Sequence, residues 1–280
     1  MEIVQAKYAG ACYGVQRALD MAQEVAKTTE TATTLGPLIH NPEVVESLES
    51  QGVHVKAAPD EVDTETVIIR SHGITLPDKE ALKSRNVRIV DATCPYVSRA
   101  QQAAFDLGRE GYHVLVVGEA GHPEVEGLLA YAQGAGAQAD VVLTPADLPE
   151  DLGEEVGVVV QTTQRRDTLE TILEALAARS ITPKLKDTIC QATRLRQVAA
   201  EELAAEVDAM VIIGGRNSSN TTRLFEICSA VCPRTFHIES ASELDPADFA
   251  DTKRVGVSAG ASTPEYQIEE AVERLKSFGA

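Results

Sequence analysis

The sequence contains no tryptophan, and aromatic residues make up only 4% of its 280 positions. Its cores must therefore be packed from Val, Ile, Leu and Ala. No apolar run approaches the ~20 residues that a membrane-spanning helix requires. The longest aliphatic stretches are short ones such as Val156–Val160 and Met210–Ile213. The opening residues Met1-Glu2-Ile3-Val4-Gln5-Ala6 lack the basic and apolar regions of a secretion signal. Positive charge is scarce: 25 Lys and Arg face 43 Asp and Glu, a net charge of −18. A duplex-binding protein needs a basic face, so nucleic acid is excluded as the expected partner. Anionic membrane surfaces are disfavoured for the same reason. With 44% hydrophobic and 24% charged residues, the chain reads as an ordinary globular protein of the cytoplasm.

Other absences narrow the chemistry. No Gly-x4-Gly-Lys-Ser/Thr loop and no Gly-x-Gly-x-x-Gly opening a helix occurs, so a nucleotide site has no motif support. No Cys-x-x-Cys occurs either, although there are five cysteines. An odd number of dispersed cysteines in such a chain argues against disulfides and towards metal binding or catalysis. Cys228 and Cys232, four apart and just ahead of Pro233, read as core packing at a helix end.

What the sequence does hold is a threefold internal repeat. Cys12, Cys94 and Cys190 each open an Ala-rich amphipathic stretch: Tyr13–Lys27, Pro95–Glu110 and Gln191–Glu206. A glycine follows each cysteine at an offset of 24, as Gly36, Gly118 and Gly214, and each ends a short β-type run. A polar side chain stands at offset 28: His40, His122 and Ser218. Beyond it come a second helix-like stretch, a strand, a turn and a last strand running into a small polar loop. Alternating strands and helices predict βα units with mostly parallel sheets. The expected fold is therefore α/β, with three similar units over residues 1–84, 85–183 and 184–280. Three such units suggest a pseudo-threefold, three-lobed arrangement that would bring the three cysteines to its centre.

Each of these cysteines lies between a short extended run and a helix, where the helix dipole favours the thiolate. Three thiolates need a cation. Zinc would want a fourth ligand or a water. A 4Fe–4S cluster held by three cysteines would leave one iron open to substrate. The bland alternative is three small buried hydrophobes at helix starts.

Six polar loops follow the expected strand ends, where open α/β sheets place ligands. They carry His40-Asn41, Ser71-His72-Gly73, His122-Pro123-Glu124, Thr162-Thr163, Ser218-Ser219-Asn220 and Ser262. Imidazole, hydroxyl and amide donors at helix N-termini suit a phosphate or diphosphate. His54, His113 and His237 instead fall within or beside predicted strands and read as structural. Glu124 is the one acid within these loops. It is either a first-turn dipole partner or a proton donor.

Eight ordered motifs carry a resemblance to a known family. They are Cys12-Tyr13-Gly14-Val15-Gln16-Arg17-Ala18, Arg70-Ser71-His72-Gly73, Asp91-Ala92-Thr93-Cys94-Pro95 and Gly121-His122-Pro123-Glu124-Val125. The others are Gln161-Thr162-Thr163, Ile189-Cys190-Gln191-Ala192-Thr193, Asn217-Ser218-Ser219-Asn220 and Ala259-Gly260-Ala261-Ser262. Together they resemble the 4-hydroxy-3-methylbut-2-enyl diphosphate reductases, the last enzymes of the non-mevalonate isoprenoid pathway, over essentially the whole chain. The resemblance implies a central 4Fe–4S cluster on Cys12, Cys94 and Cys190, with one open iron that takes the substrate hydroxyl. It implies that Glu124 supplies protons, with Thr162 close to that hydroxyl. It implies that His40, His72, His122, Ser218, Ser219, Asn220 and Ser262 hold the diphosphate of a small allylic substrate. It also implies ferredoxin or flavodoxin as electron donor. Two other classes stand beside it: a hydro-lyase that needs no reductant, and a zinc-stabilised binding protein. Arg17 and Arg99, each five residues past a cysteine, read as exposed helix positions, with docking of an acidic partner as the alternative.

Overall fold

The computed structural model describes residues 1–278. Contacts divide the chain into two units. The terminal unit comprises Met1–Gln16, His40–Val44 and the chain from Gln191 onward. The central unit comprises Arg17–Ile39 and Val45–Cys190.

The first third of the chain contains β1 (Glu2–Gln5), α1 (Tyr13–Thr28), β2 (Ala32–Leu35), α2 (Pro42–Ser50), β3 (Val53–Lys56), β4 (Thr66–Ile69) and α3 (Leu76–Ser84). The pattern then repeats as β5 (Arg88–Asp91), α4 (Pro95–Arg109), β6 (His113–Val117), α5 (Pro123–Gly134), β7 (Ala139–Val142), β8 (Val156–Val160) and α6 (Arg166–Ala178). It returns once more as β9 (Lys184–Lys186), α7 (Gln191–Ala204), β10 (Ala209–Ile213), α8 (Ser219–Val231), β11 (Thr235–Ile238), β12 (Arg254–Ala259) and α9 (Glu265–Phe278).

The predicted α/β class holds, with three four-stranded sheets among the described residues, in which every pairing is parallel. The central unit has two, ordered β3-β2-β4-β5 and β7-β6-β8-β9; the terminal unit has β11-β10-β12-β1. The three orders are the same. Each sheet ends on the strand that runs into the next cysteine: β5 before Cys94, β9 before Cys190 and β1 before Cys12. The segments 1–84, 85–183 and 184–280 therefore do not coincide with the sheets, since each sheet takes its edge strand from across a segment border. In the third sheet that strand is the first of the chain, with Glu2 opposite Arg254 and Gln5 opposite Val257.

The cores follow the composition. Val114–Val117 and Val156–Val160 are buried along their length, as befits strands covered on both faces. Leu107, Leu115, Leu128, Leu169 and Ile172 fill the spaces between sheet and helices. Four of the five phenylalanines lie in the terminal unit, where Phe249 is 5.1 Å from Phe236 and 5.9 Å from Phe278 between ring centroids. In each sheet the strand order reverses between two neighbours (β2 and β4, β6 and β8, β10 and β12). Loops beyond the carboxyl ends of such a pair line a crevice suited to a ligand. Those loops carry the polar residues singled out by the repeat.

Candidate functional site

In the central unit, α5 begins at Pro123, which has no N–H to leave unsatisfied at a helix start. His122 caps it: the ring Nδ1 accepts the Glu124 backbone N–H at 3.1 Å. An accepting Nδ1 carries no proton, so the neutral ring keeps its proton on Nε2 as a donor. The His122 ring meets His72 edge to face, with centroids 5.6 Å apart. The His72 loop is held from below, because the backbone N–H and hydroxyl of Ser71 both donate to the Leu38 carbonyl, at 3.1 and 3.0 Å. Arg70 Nε adds a bond to the Gly73 carbonyl at 3.1 Å.

Glu124 is 2% exposed and lies in the first turn of α5. Its carboxylate accepts the Thr162 backbone N–H at 2.5 Å and the Thr162 hydroxyl at 2.8 Å. Burial disfavours the charged form and pushes the carboxyl up to about 7, although both Thr162 bonds act the other way. A carboxyl with this value is shared between acid and base forms near neutrality, which suits proton transfer.

The three cysteines are placed alike. Cys94 N–H donates to Ser71 O at 2.9 Å, Cys190 N–H to Thr162 O at 2.9 Å, and Cys12 N–H to Ala261 O at 3.1 Å. Each is thus tied to the loop that follows the last large strand of a sheet. Each is half-buried at the start of a helix, and none of the five cysteines is in a disulfide. Cys228 and Cys232 lie in the terminal unit's core, as the sequence implied. Burial pushes the Cys228 thiol up to about 12, far from a thiolate ligand.

In the terminal unit, Asn41 accepts the Val44 N–H at 3.1 Å and so caps α2, which begins at Pro42. Its amide nitrogen donates to Ser262 O at 3.0 Å and to Gln267 Oε1 at 2.9 Å, tying the His40 loop to the Ser262 loop. Ser218 caps α8 and accepts from the Thr221 N–H at 3.4 Å. Ser219 and Asn220 are buried in its first turn. Both amide atoms of Asn220 are buried with no hydrogen-bond partner, in a side chain 4% exposed. Leaving such groups unmet costs about 1–3 kcal/mol each, and an anionic ligand at the helix N-terminus would accept from the amide nitrogen.

The structure therefore brings Glu124, Thr162, His122 and His72 into one set of contacts in the central unit. In the terminal unit it groups Ser218, Ser219 and Asn220 on one turn and links Ser262 to the residue beside His40. Two features were missed. Asn41 was passed over for its histidine neighbour, although it stands one place past the repeating polar position. Arg17 is not a solvent-facing residue: it is half-buried and donates to Thr93 O and Asp91 O at 3.3 and 3.4 Å, just ahead of Cys94. Helical spacing alone does not reveal such a reach.

The family model for the LytB protein matches residues 3–276. The chain belongs to the LytB protein family. Among its LytB relatives, the 4-hydroxy-3-methylbut-2-enyl diphosphate reductase of Geobacter sulfurreducens is 48% identical over 278 residues, covering 99% of this chain and 98% of the relative. The enzyme of that name from Aquifex aeolicus is 45% identical over 280 residues, covering 99% and 97%. A solved structure of (E)-4-hydroxy-3-methyl-but-2-enyl diphosphate reductase, the terminal enzyme of the non-mevalonate pathway, shares 44% identity with a TM-score of 0.73. That match covers 99% of this chain and all of the other. The E-1-hydroxy-2-methyl-but-2-enyl-4-diphosphate reductase from Plasmodium falciparum, 24% identical, superposes with a TM-score of 0.90 over 98% of this chain and 88% of the other. That likeness shows the shared fold.

The donor set also fits the iron–sulfur character of the LytB family. Three half-buried thiols, each at the positive end of a helix, are soft ligands of the kind that iron–sulfur clusters take. Among the described residues, no helix is long and apolar enough to cross a membrane.

Proposed function

We propose that this chain reduces (E)-4-hydroxy-3-methylbut-2-enyl diphosphate to isopentenyl and dimethylallyl diphosphate. Two electrons and two protons enter, the carbon–oxygen bond breaks, and the hydroxyl leaves as water. A 4Fe–4S cluster held by Cys12, Cys94 and Cys190 would deliver the electrons and polarise the departing hydroxyl from its open iron.

The protein's own residues carry the rest. Glu124, buried and poised near neutrality, gives the proton that turns a poor leaving group into water. Thr162 fixes the carboxyl through two bonds, so the proton is presented from one place. The Nε2–H of His122, with His40 and His72, supplies donors for the diphosphate. Ser218, Ser219, Asn220 and Ser262 supply hydroxyl, amide and helix N-terminal donors for the same group. Burial of Glu124 and Thr162 shields the proton on the carboxyl from bulk solvent until it is transferred. Ferredoxin or flavodoxin supplies the electrons.

The observation that carries this reading is the buried Glu124–Thr162 pair beside the histidine cap of α5. The test is anaerobic reconstitution of the full chain, followed by iron, acid-labile sulfide and turnover measurements. Iron and sulfide near four each, with turnover only when a reductant is present, is the expected result. Zinc without sulfide, or turnover without reductant, would overturn it.

A further inference from the structure

We propose that Arg17 and Arg196 are positioning residues that set the chain entering Cys94 and Cys12, and so place those two thiols for the metal. The inference rests on reading these cysteines as cluster ligands.

The three links between an edge strand and its cysteine are braced differently. Ahead of Cys94, Asp91 accepts the Thr93 N–H at 3.0 Å and forms an ion pair with Lys79 at 3.2 Å. Ahead of Cys190, Asp187 likewise accepts the Ile189 N–H, at 3.3 Å. Thr188 also bonds both the N–H and the carbonyl of Val160. Cys12 has Ala9 where the other two cysteines have these aspartates, three residues upstream, so it lacks a carboxylate at that position.

Arginines supply what the aspartates do not. Arg196, on α7 and 4% exposed, donates Nη2 to the Gly10 carbonyl at 2.6 Å and Nη1 to Ala192 O at 3.4 Å. Gly10 has φ +89°, and a Cβ there would stand 2.9 Å from Ile268 Cδ1. The turn thus needs glycine, which brings no side chain to anchor it; its carbonyl is anchored by Arg196 instead. Arg17 grips the Cys94 link from outside, with Nη1 on Thr93 O and Nη2 on Asp91 O. Those carbonyls flank Ala92, which is fully buried. A planar guanidinium spans two such acceptors; a lysine ammonium, as a single point, does not. Groups that orient metal ligands in this way are worth about 10–100-fold in metal affinity.

The test uses the full chain with Arg17→Met and Arg196→Met, and with Arg17→Lys and Arg196→Lys as milder replacements. Iron release to a chelator from the anaerobically reconstituted protein should rise about tenfold in each Met variant, and less in the Lys variants. Before reconstitution, alkylation read at each cysteine by mass spectrometry should change at Cys94 alone for Arg17→Met. It should change at Cys12 alone for Arg196→Met. Unaltered iron release, or equal alkylation changes at Cys12, Cys94 and Cys190, would overturn the proposal, because a general loss of stability would act on all three. A wild-type chain that takes up no iron and sulfide would instead overturn the cluster reading beneath it.

Discussion

Thr162 bonds both carboxylate oxygens of Glu124, one through its backbone N–H and the other through its hydroxyl. The same Thr162 accepts the Cys190 N–H on its carbonyl. One residue therefore orients the buried acid and also locates a cysteine. That geometry explains why a carboxyl that desolvation drives towards neutrality can still be held in one orientation.

Glu124→Gln keeps the size of the side chain and removes its proton. Turnover should fall by roughly 10²–10⁴, the usual contribution of a positioned acid, while iron and sulfide stay at the wild-type content. Parallel turnover and iron assays check this; near-normal turnover would remove Glu124 from the reaction.

The same carboxyl makes stability depend on pH. Its folded value, about 7, lies above the unfolded value of 4.5. Below 4.5 both states hold the proton, and there is no penalty. As pH rises towards 7 the unfolded chain releases a proton that the folded chain retains, so stability declines and then levels off. Glu124→Gln should lack this decline. Denaturant unfolding of the two proteins at pH 4.5, 6 and 8 measures the difference, and parallel curves would contradict it.

Thr162→Val removes the hydroxyl but keeps the backbone donor. With one bond to the carboxylate lost, the Glu124 value should rise further. If the protonated form is the active one, the alkaline limb of the rate profile shifts to higher pH. A limb that stays in place or moves to lower pH would refute this role.

Cys94→Ser should lose cluster iron after anaerobic reconstitution, whereas Cys228→Ser should keep it, since Cys228 lies in the core with its thiol donating to Ala200 O. Equal iron in the two variants, measured per chain, would show that Cys94 is not a ligand.

Asn220→Leu removes two buried polar atoms that have no partner in the protein. The variant should melt at or above the wild-type temperature without substrate, and its KM should rise at least tenfold. A lower melting point with an unchanged KM would make Asn220 a structural residue.

Much of this was legible in the sequence, because the repeat fixed offsets that chain chemistry must respect. The strand ends Leu35, Val117 and Ile213 fall just ahead of the glycines at offset 24, and helix caps sit at or beside offset 28. The α3, α6 and α9 helices were not foreseen, since no cysteine or glycine marks them. The pairing of β5, β9 and β1 was also hidden. A short strand such as Lys184–Lys186 shows which residues are extended but not which neighbour they join. The reach of Arg17 and Arg196 depends on tertiary placement, which local periodicity does not encode.

The pairing of β1 with β12 has a consequence for timing during synthesis. Glu2 finds its partner only when Arg254 exists, and Cys12 is tied to a carbonyl at residue 261. At about 5–20 residues per second, the first strand leaves the ribosome tens of seconds before its sheet can form. Cys94 and Cys190 can meet their anchoring loops, at Ser71 and Thr162, as soon as they emerge. The cysteine made first is thus the last to be seated, so a metal held by all three cysteines would wait for release of the finished chain.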